Sequence, residues 1–329
     1  VNVSAELSSE VTDWLGGLGW GGASVERLPG GTNNRVFKLT QDGSLAALKC
    51  YFRGEHDKRD RYGAERDFYR LSEQVGATQT ARCLGRDEEQ GVALYSWVEG
   101  DPVGAPITSE DVAQAARFLK LVGHGAGGVV ALTGVASEAC FSVSAHCDLL
   151  GLRLRALTDK LGLPELLVGF LQGEVLPRRD QVQSALRNNP AAEFREGKDL
   201  MIYSPGDFGF HNALRGGDGR ITFIDFEYSG WDDPAKTIAD VFLQPEKPVA
   251  WDLLTDFCGA MDRWPRLEER ARTWIPFFAL KWCCILLNPL VKEHAERRIF
   301  AGAKAGETGW DQQLEKARHV LDRSREILS

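Results

Sequence analysis

The chain has 329 residues, 43% of them hydrophobic and 26% charged, with 47 Asp and Glu against 39 Lys and Arg for a formal net charge of −8. That length exceeds one small core and favours two lobes of unequal size, in a composition ordinary for a globular protein. The acidic balance argues against general binding to nucleic acid or to an anionic membrane, and it leaves room for a cationic ligand.

Residues 5–16 (AELSSEVTDWLG) are predicted to form an amphipathic helix that stops at Gly-Gly, with neither the basic start nor the apolar run of a secretory signal. VERLPG, RVFKLT and LAALKCYF then read as three short strands, the last two joined by a QDGS hairpin turn. Residues 58–75 are predicted helical, because Ala64, Phe68, Leu71 and Val75 recur at helical spacing. ARCLGR and GVALYSWV add two strands, and EGDPVGAP, 99–106, reads as a Gly/Pro linker between the lobes. This places a nucleotide lobe at 1–98 and a helical lobe at 107–329.

Beyond the linker, GHGAGGVV (123–130) reads as a loop, and 139–200 as a large helical insertion. Helices are expected at 148–155, 163–172, 178–187, 234–243, 251–261, 273–287 and 310–327, interrupted by one β-pair in NALRGGDGRITFID. The apolar run 274–291 contains Lys281, Asn288 and two prolines, so it reads as a buried helix rather than a membrane span. The seven cysteines are odd in number and lack any CxxC spacing. Reduced, mostly buried thiols and a cytoplasmic location are expected.

The chemistry concentrates in SPGDFGFHNALRGGDGRITFIDFEYSG, residues 204–230, where Asp207, Asn212 and Asp225 are spaced D-x4-N-x12-D and the last Asp ends a hydrophobic strand. A hairpin through the intervening residues returns Asp225 to the side of Asn212. Magnesium takes oxygen ligands and commonly keeps waters and phosphate oxygens. One carboxylate and one amide therefore suffice for it, if the second carboxylate is free to orient a hydroxyl. Asp and Asn also favour turns for local reasons. Upstream, LPGGTNNRVFKL lies between strands: Gly30 and Gly31 allow backbone to approach phosphate, and Thr32, Asn33 and Asn34 supply donors. Lys49, among apolar neighbours in ALKCYF, needs an anionic partner; Glu55, Asp57, Asp60 and Asp67 are on offer, and helix register favours Glu65.

The segment 204–230 resembles the HGDxxxxN and IDFE/IDWE motifs of the aminoglycoside phosphotransferase and choline kinase-like family, relatives of the protein kinases. The resemblance implies a bilobal, protein kinase-like α+β fold with a small, mainly β N-lobe and a larger helical C-lobe. It also implies that Asp207 is the catalytic base or hydroxyl-orienting residue and that Asn212 and Asp225 are Mg2+ ligands. The loop 30–34 looks like the family's phosphate loop, and Lys49 with Glu65 like its Lys–Glu pair. Pro205 departs from the pattern by standing where the family usually has His, and His211 is expected to support the loop rather than act as general base.

Backbone groups of Ser96, Trp97 and Val98 would form the hinge against adenine, with Trp97 serving either ligand contact or lobe packing. Glu227, Trp231 and Asp232 are the candidates for lining an acceptor pocket, with surface solvation the alternative for Asp232. Acids beside an aromatic suit an amine-bearing acceptor, and they suit a sugar nearly as well. The reading is an ATP- and Mg2+-dependent phosphotransferase acting on a sugar, aminoglycoside or amino alcohol. A pseudokinase-type binding module and a protein kinase are the competing readings. These residues distinguish neither ATP from GTP nor one oligomeric state from another.

Overall fold

The QDGS turn forms as its residues require. Asp42 and Gly43 both take positive φ, 50° and 77°, the left-handed pair that a tight two-residue hairpin needs. They join β2 (Arg35–Gln41) to β3 (Ser44–Cys50) in a computed structural model that describes residues 7–29, 33–54, 59–128, 132, 134–160, 163–194, 200–287, 300 and 309–327. With β1 (Ser24–Arg27), β4 (Cys83–Asp87) and β5 (Val92–Ser96) they make an antiparallel sheet of order β1-β2-β3-β5-β4. Side chains alternate across a strand. Phe37, Leu39, Ala46, Leu48, Val92 and Leu94 therefore share one face with Val11 and Leu15 of α1 (Ser9–Gly17). The same alternation sends Lys49 and Tyr51 to the opposite face, where α2 (Arg61–Gln74) places Glu65.

The expected linker is partly strand. β6 (Asp101–Pro102) pairs antiparallel with β8 (Ala213–Arg215), which pairs in turn with β9 (Ile221–Phe223). The chain leaving the first sheet is thus stitched at once to the hairpin that carries Asn212 and Asp225. A second small pair joins β7 (Ile202–Ser204) to β10 (Gly230–Asp232) and brackets the same segment.

The rest of the described chain is mainly helical. α3 (Ser109–Gly125) was not among the expected helices, and it replaces the first part of the loop expected at 123–130; a 3-10 turn, Ala126–Gly128, follows it. Its signal was present in the sequence: Thr108 caps the helix and Asp111 bonds back to it, a complete capping box. α4 (Val143–Thr158), α5 (Glu165–Phe170) and α6 (Leu176–Arg187) fill the predicted helical insertion, with a π-turn, Leu171–Val175, between the last two. α7 (Pro234–Leu243) begins at the Asp233 cap, and α8 (Leu254–Ala260), α9 (Leu267–Leu287) and α10 (Trp310–Glu326) follow. Among the described residues no helix is long and apolar enough to cross a membrane. All seven cysteines are free, and only Cys83 and Cys140 are not fully buried.

α7 is buried on every side and carries Lys236, whose Nζ lies 2.6 Å from Asp232 Oδ2 and 3.1 Å from Asp240 Oδ2. Burial alone would lower the Lys236 pKa, but the two carboxylates outweigh it and hold the ammonium above its usual range. Removing one partner of a buried ion pair strands the other. We expect Lys236→Met to lose about 3–5 kcal/mol in urea unfolding; a loss below about 1 kcal/mol, the worth of an exposed pair, contradicts the burial argument.

Candidate active site

The segment 207–227 alternates acids with phenylalanines, and burial of the rings sets where the acids go. Phe208, Phe223 and Phe226 are buried in one aromatic cluster with Phe68 of α2 and Phe118 of α3; Phe68 and Phe226 stack at 4.1 Å and Phe118 and Phe223 at 4.9 Å. Asp207 and Asp225 between them are left with side chains 41% and 42% exposed. Gly206, at φ +86°, lets the loop pass so close to Tyr228 that an added Cβ would lie 2.3 Å from its carbonyl oxygen.

Asn212 and Asp225 converge through the backbone: Ile224 N–H donates to Asn212 O at 3.0 Å. Asn212 Nδ2 donates to Asp207 O at 3.0 Å, so the amide nitrogen is occupied and Oδ1 remains as the acceptor. Asp225 has φ +67°, uncommon for a residue with a Cβ and a form of strain that concentrates at functional sites. Lys49 Nζ lies 2.6 Å from Asp225 Oδ1 and 2.6 Å from Glu65 Oε2. Glu65 also accepts from Tyr51 Oη at 2.7 Å and from Phe226 N–H at 3.2 Å. One lysine therefore joins the sheet, α2 and the segment after the hairpin.

Desolvation would lower the Lys49 pKa, but Asp225, Glu65 and Glu227 outweigh it and keep the ammonium charged well above its ordinary range. Glu227 is pushed up by burial and by Asp225, with Lys49 and Arg61 pulling the other way. His211 Nε2 stands 3.3 Å from Asp207 Oδ1. Burial would lower the imidazole pKa, yet the Asp207 carboxylate prevails and raises it.

Other sequence candidates are placed differently from expectation. Gly30, Gly31 and Thr32 lie outside the described residues. Asn33 and Asn34, expected as phosphate donors, turn their side-chain amides to Glu227. Ser96 donates its N–H to Arg82 O at 2.8 Å, and its Oγ accepts from Arg82 N–H at 2.9 Å. Trp97 has Lys38 Nζ over its ring at 4.8 Å, and Val98 packs against the main core.

The acceptor candidates are all turned inward. Asp232 is fully buried on Lys236, Trp231 is buried with Nε1 donating to Leu132 O at 2.7 Å, and Glu227 is enclosed by Arg61, Asn33 and Asn34. Each satisfies a buried structural partner. Arg61 was missed; its position four residues before Glu65 on one helix face was the available signal.

The donor set suits a hard cation. Asp225 offers a half-exposed carboxylate and Asn212 an amide oxygen, two oxygen ligands of the kind magnesium combines with water and phosphate oxygens. A separate groove lined by Pro190, Phe194, Pro234, Trp264 and Arg270 contains none of these residues.

The model of the phosphotransferase enzyme family (APH) matches residues 24–253. No curated protein matches the chain in sequence. Among solved structures, the choline kinase LicA from Streptococcus pneumoniae is similar at TM-score 0.64 and 16% identity, over 95% of this chain and 98% of that one. A choline/ethanolamine kinase family protein from Mesorhizobium loti gives TM-score 0.60 and 19% identity, over 97% of each chain. The spectinomycin phosphotransferase APH(9)-Ia, solved with ADP and spectinomycin, gives 0.62 and 10% over 98% of each. At these identities the likeness is one of fold, a β-sheet N-terminal region followed by a helical part as in kinase-like proteins.

Proposed function

The chain belongs to the phosphotransferase enzyme family, and from that premise we propose that it transfers the γ-phosphoryl group of Mg·ATP to a hydroxyl of a small molecule. The observation that carries the reading is the position of Lys49, 2.6 Å from both Glu65 and Asp225. Phosphoryl transfer asks little covalent chemistry of the protein; positioning and charge neutralisation do most of it. Lys49 would neutralise phosphate oxygens, with Glu65 fixing its direction. Asp225 and Asn212 would hold magnesium, which would supply positive charge to offset that of the phosphates. Asp207 would orient the acceptor hydroxyl and take up its proton. The structural neighbours act, by their descriptions, on choline and spectinomycin. A sugar-like alcohol, an aminoglycoside or an amino alcohol is accordingly the acceptor class.

The test is ADP release across a panel of sugars, aminoglycosides and amino alcohols, with and without EDTA. Turnover with at least one acceptor that stops in EDTA and returns with added magnesium is the expected result. No turnover with any member, together with no binding of Mg·ATP, overturns the reading. Binding of Mg·ATP without turnover favours the pseudokinase-type module instead.

A further inference from the structure

Two carboxylates tie the sheet to the segment bearing Asp225, and the chemistry above uses only Glu65. The other, Glu227, has a side chain 0% exposed and accepts from Asn33 Nδ2 at 2.7 Å, Arg61 Nη1 at 2.7 Å and Asn34 Nδ2. Asn34 turns its Oδ1 to Phe52 N–H at 3.1 Å, so its amide spans from the end of β3 to Glu227. Asn33 also donates to Tyr228 Oη at 2.8 Å, and the Arg61 guanidinium lies 4.7 Å from the Tyr228 ring. The bonds join residues 193 and 194 positions apart, on opposite sides of the lysine that bridges to Asp225.

We propose that Glu227 is a positioning residue that fixes the chain at Asn33 and Asn34 relative to Asp225, and so sets the geometry in which phosphates are received. The inference rests on the kinase reading, and it reassigns the two asparagine amides from phosphate donors to anchors. A carboxylate is required because it only accepts. A glutamine would turn two N–H donors toward partners that are themselves donors. Breaking this junction releases Asn33 and Asn34 without touching Ser96–Val98, so the penalty falls on phosphate-bearing ligands and spares adenosine.

The experiment measures the Kd of Mg·ATP and of adenosine for wild type, E227Q, N33A and N33A/E227Q, with circular dichroism as the check on folding. E227Q is expected to weaken Mg·ATP about 10-fold, as loss of a buried hydrogen-bonded junction would, with adenosine unchanged. The double variant is expected to bind no more weakly than E227Q, since Asn33 acts through Glu227. Additive losses mean that Asn33 meets phosphate directly, and they overturn the proposal. So does E227Q binding Mg·ATP as wild type does, or losing ATP and adenosine equally. If E227Q does not fold, E227D keeps the charge but withdraws it by one methylene, and the same ATP-selective loss is required of it. Wild-type protein that binds neither ligand overturns the kinase reading, and this inference with it.

Discussion

Asp207→Asn lowers kcat by about 10³-fold, within the range for loss of a proton-transfer group, while leaving the Kd of Mg·ATP near that of wild type. The carboxylate is half-exposed, so the amide replaces it without stranding a buried charge. Its backbone carbonyl, which accepts from Asn212 Nδ2, is untouched, so the Asn212 side of the loop keeps its geometry. What is lost is a group that can accept the hydroxyl proton and align the oxygen. Steady-state kinetics with the best panel acceptor, paired with calorimetric titration of nucleotide, gives the result. A kcat within about fivefold of wild type would remove Asp207 from the chemistry, since proton-transfer groups contribute at least about 10².

Lys49→Met has the second large effect, and it acts on two observables. Removing a preorganised cation from a phosphoryl-transfer site costs on the order of 10²–10³ in kcat. The substitution also strands Glu65, which is 1% exposed, and destabilises the fold by about 3–5 kcal/mol, as for any buried pair that loses one member. The two effects separate in K49M/E65Q. The neutral amide no longer needs a cation, so stability returns in part by urea unfolding. Activity does not return, because nothing neutralises phosphate. Recovery of activity along with stability would mean that Lys49 serves only to hold the fold.

The pairing of Lys49 with Glu65 follows from two local periods. Strand alternation takes Lys49 off the face that Leu48 and Cys50 give to α1, and helix register turns Glu65 inward with Phe68 and Ser72. The D-x4-N-x12-D spacing needed only a tight hairpin, which the short β8–β9 pair provides. The capping box at Thr108 was equally local, and α3 was missed by overlooking it rather than for want of a signal. The acceptor candidates turn inward for another reason. Glu227, Trp231 and Asp232 stand close to Asp225 in sequence, but adjacency does not say which way a side chain turns. A parallel bridge from Val135 to Trp231, the cation at Lys236 and the guanidinium of Arg61 turn all three inward.

The sequence by itself determined most of the elements and the sheet-then-helices order, because burial imposes a period of two or 3.6 residues that can be read along the chain. Only the tertiary structure decided which acids stay open to solvent and which are consumed by buried cations. An enclosed carboxylate must find its donors wherever the fold brings them. Those of Glu227 come from Arg61 and from asparagines more than 190 residues away.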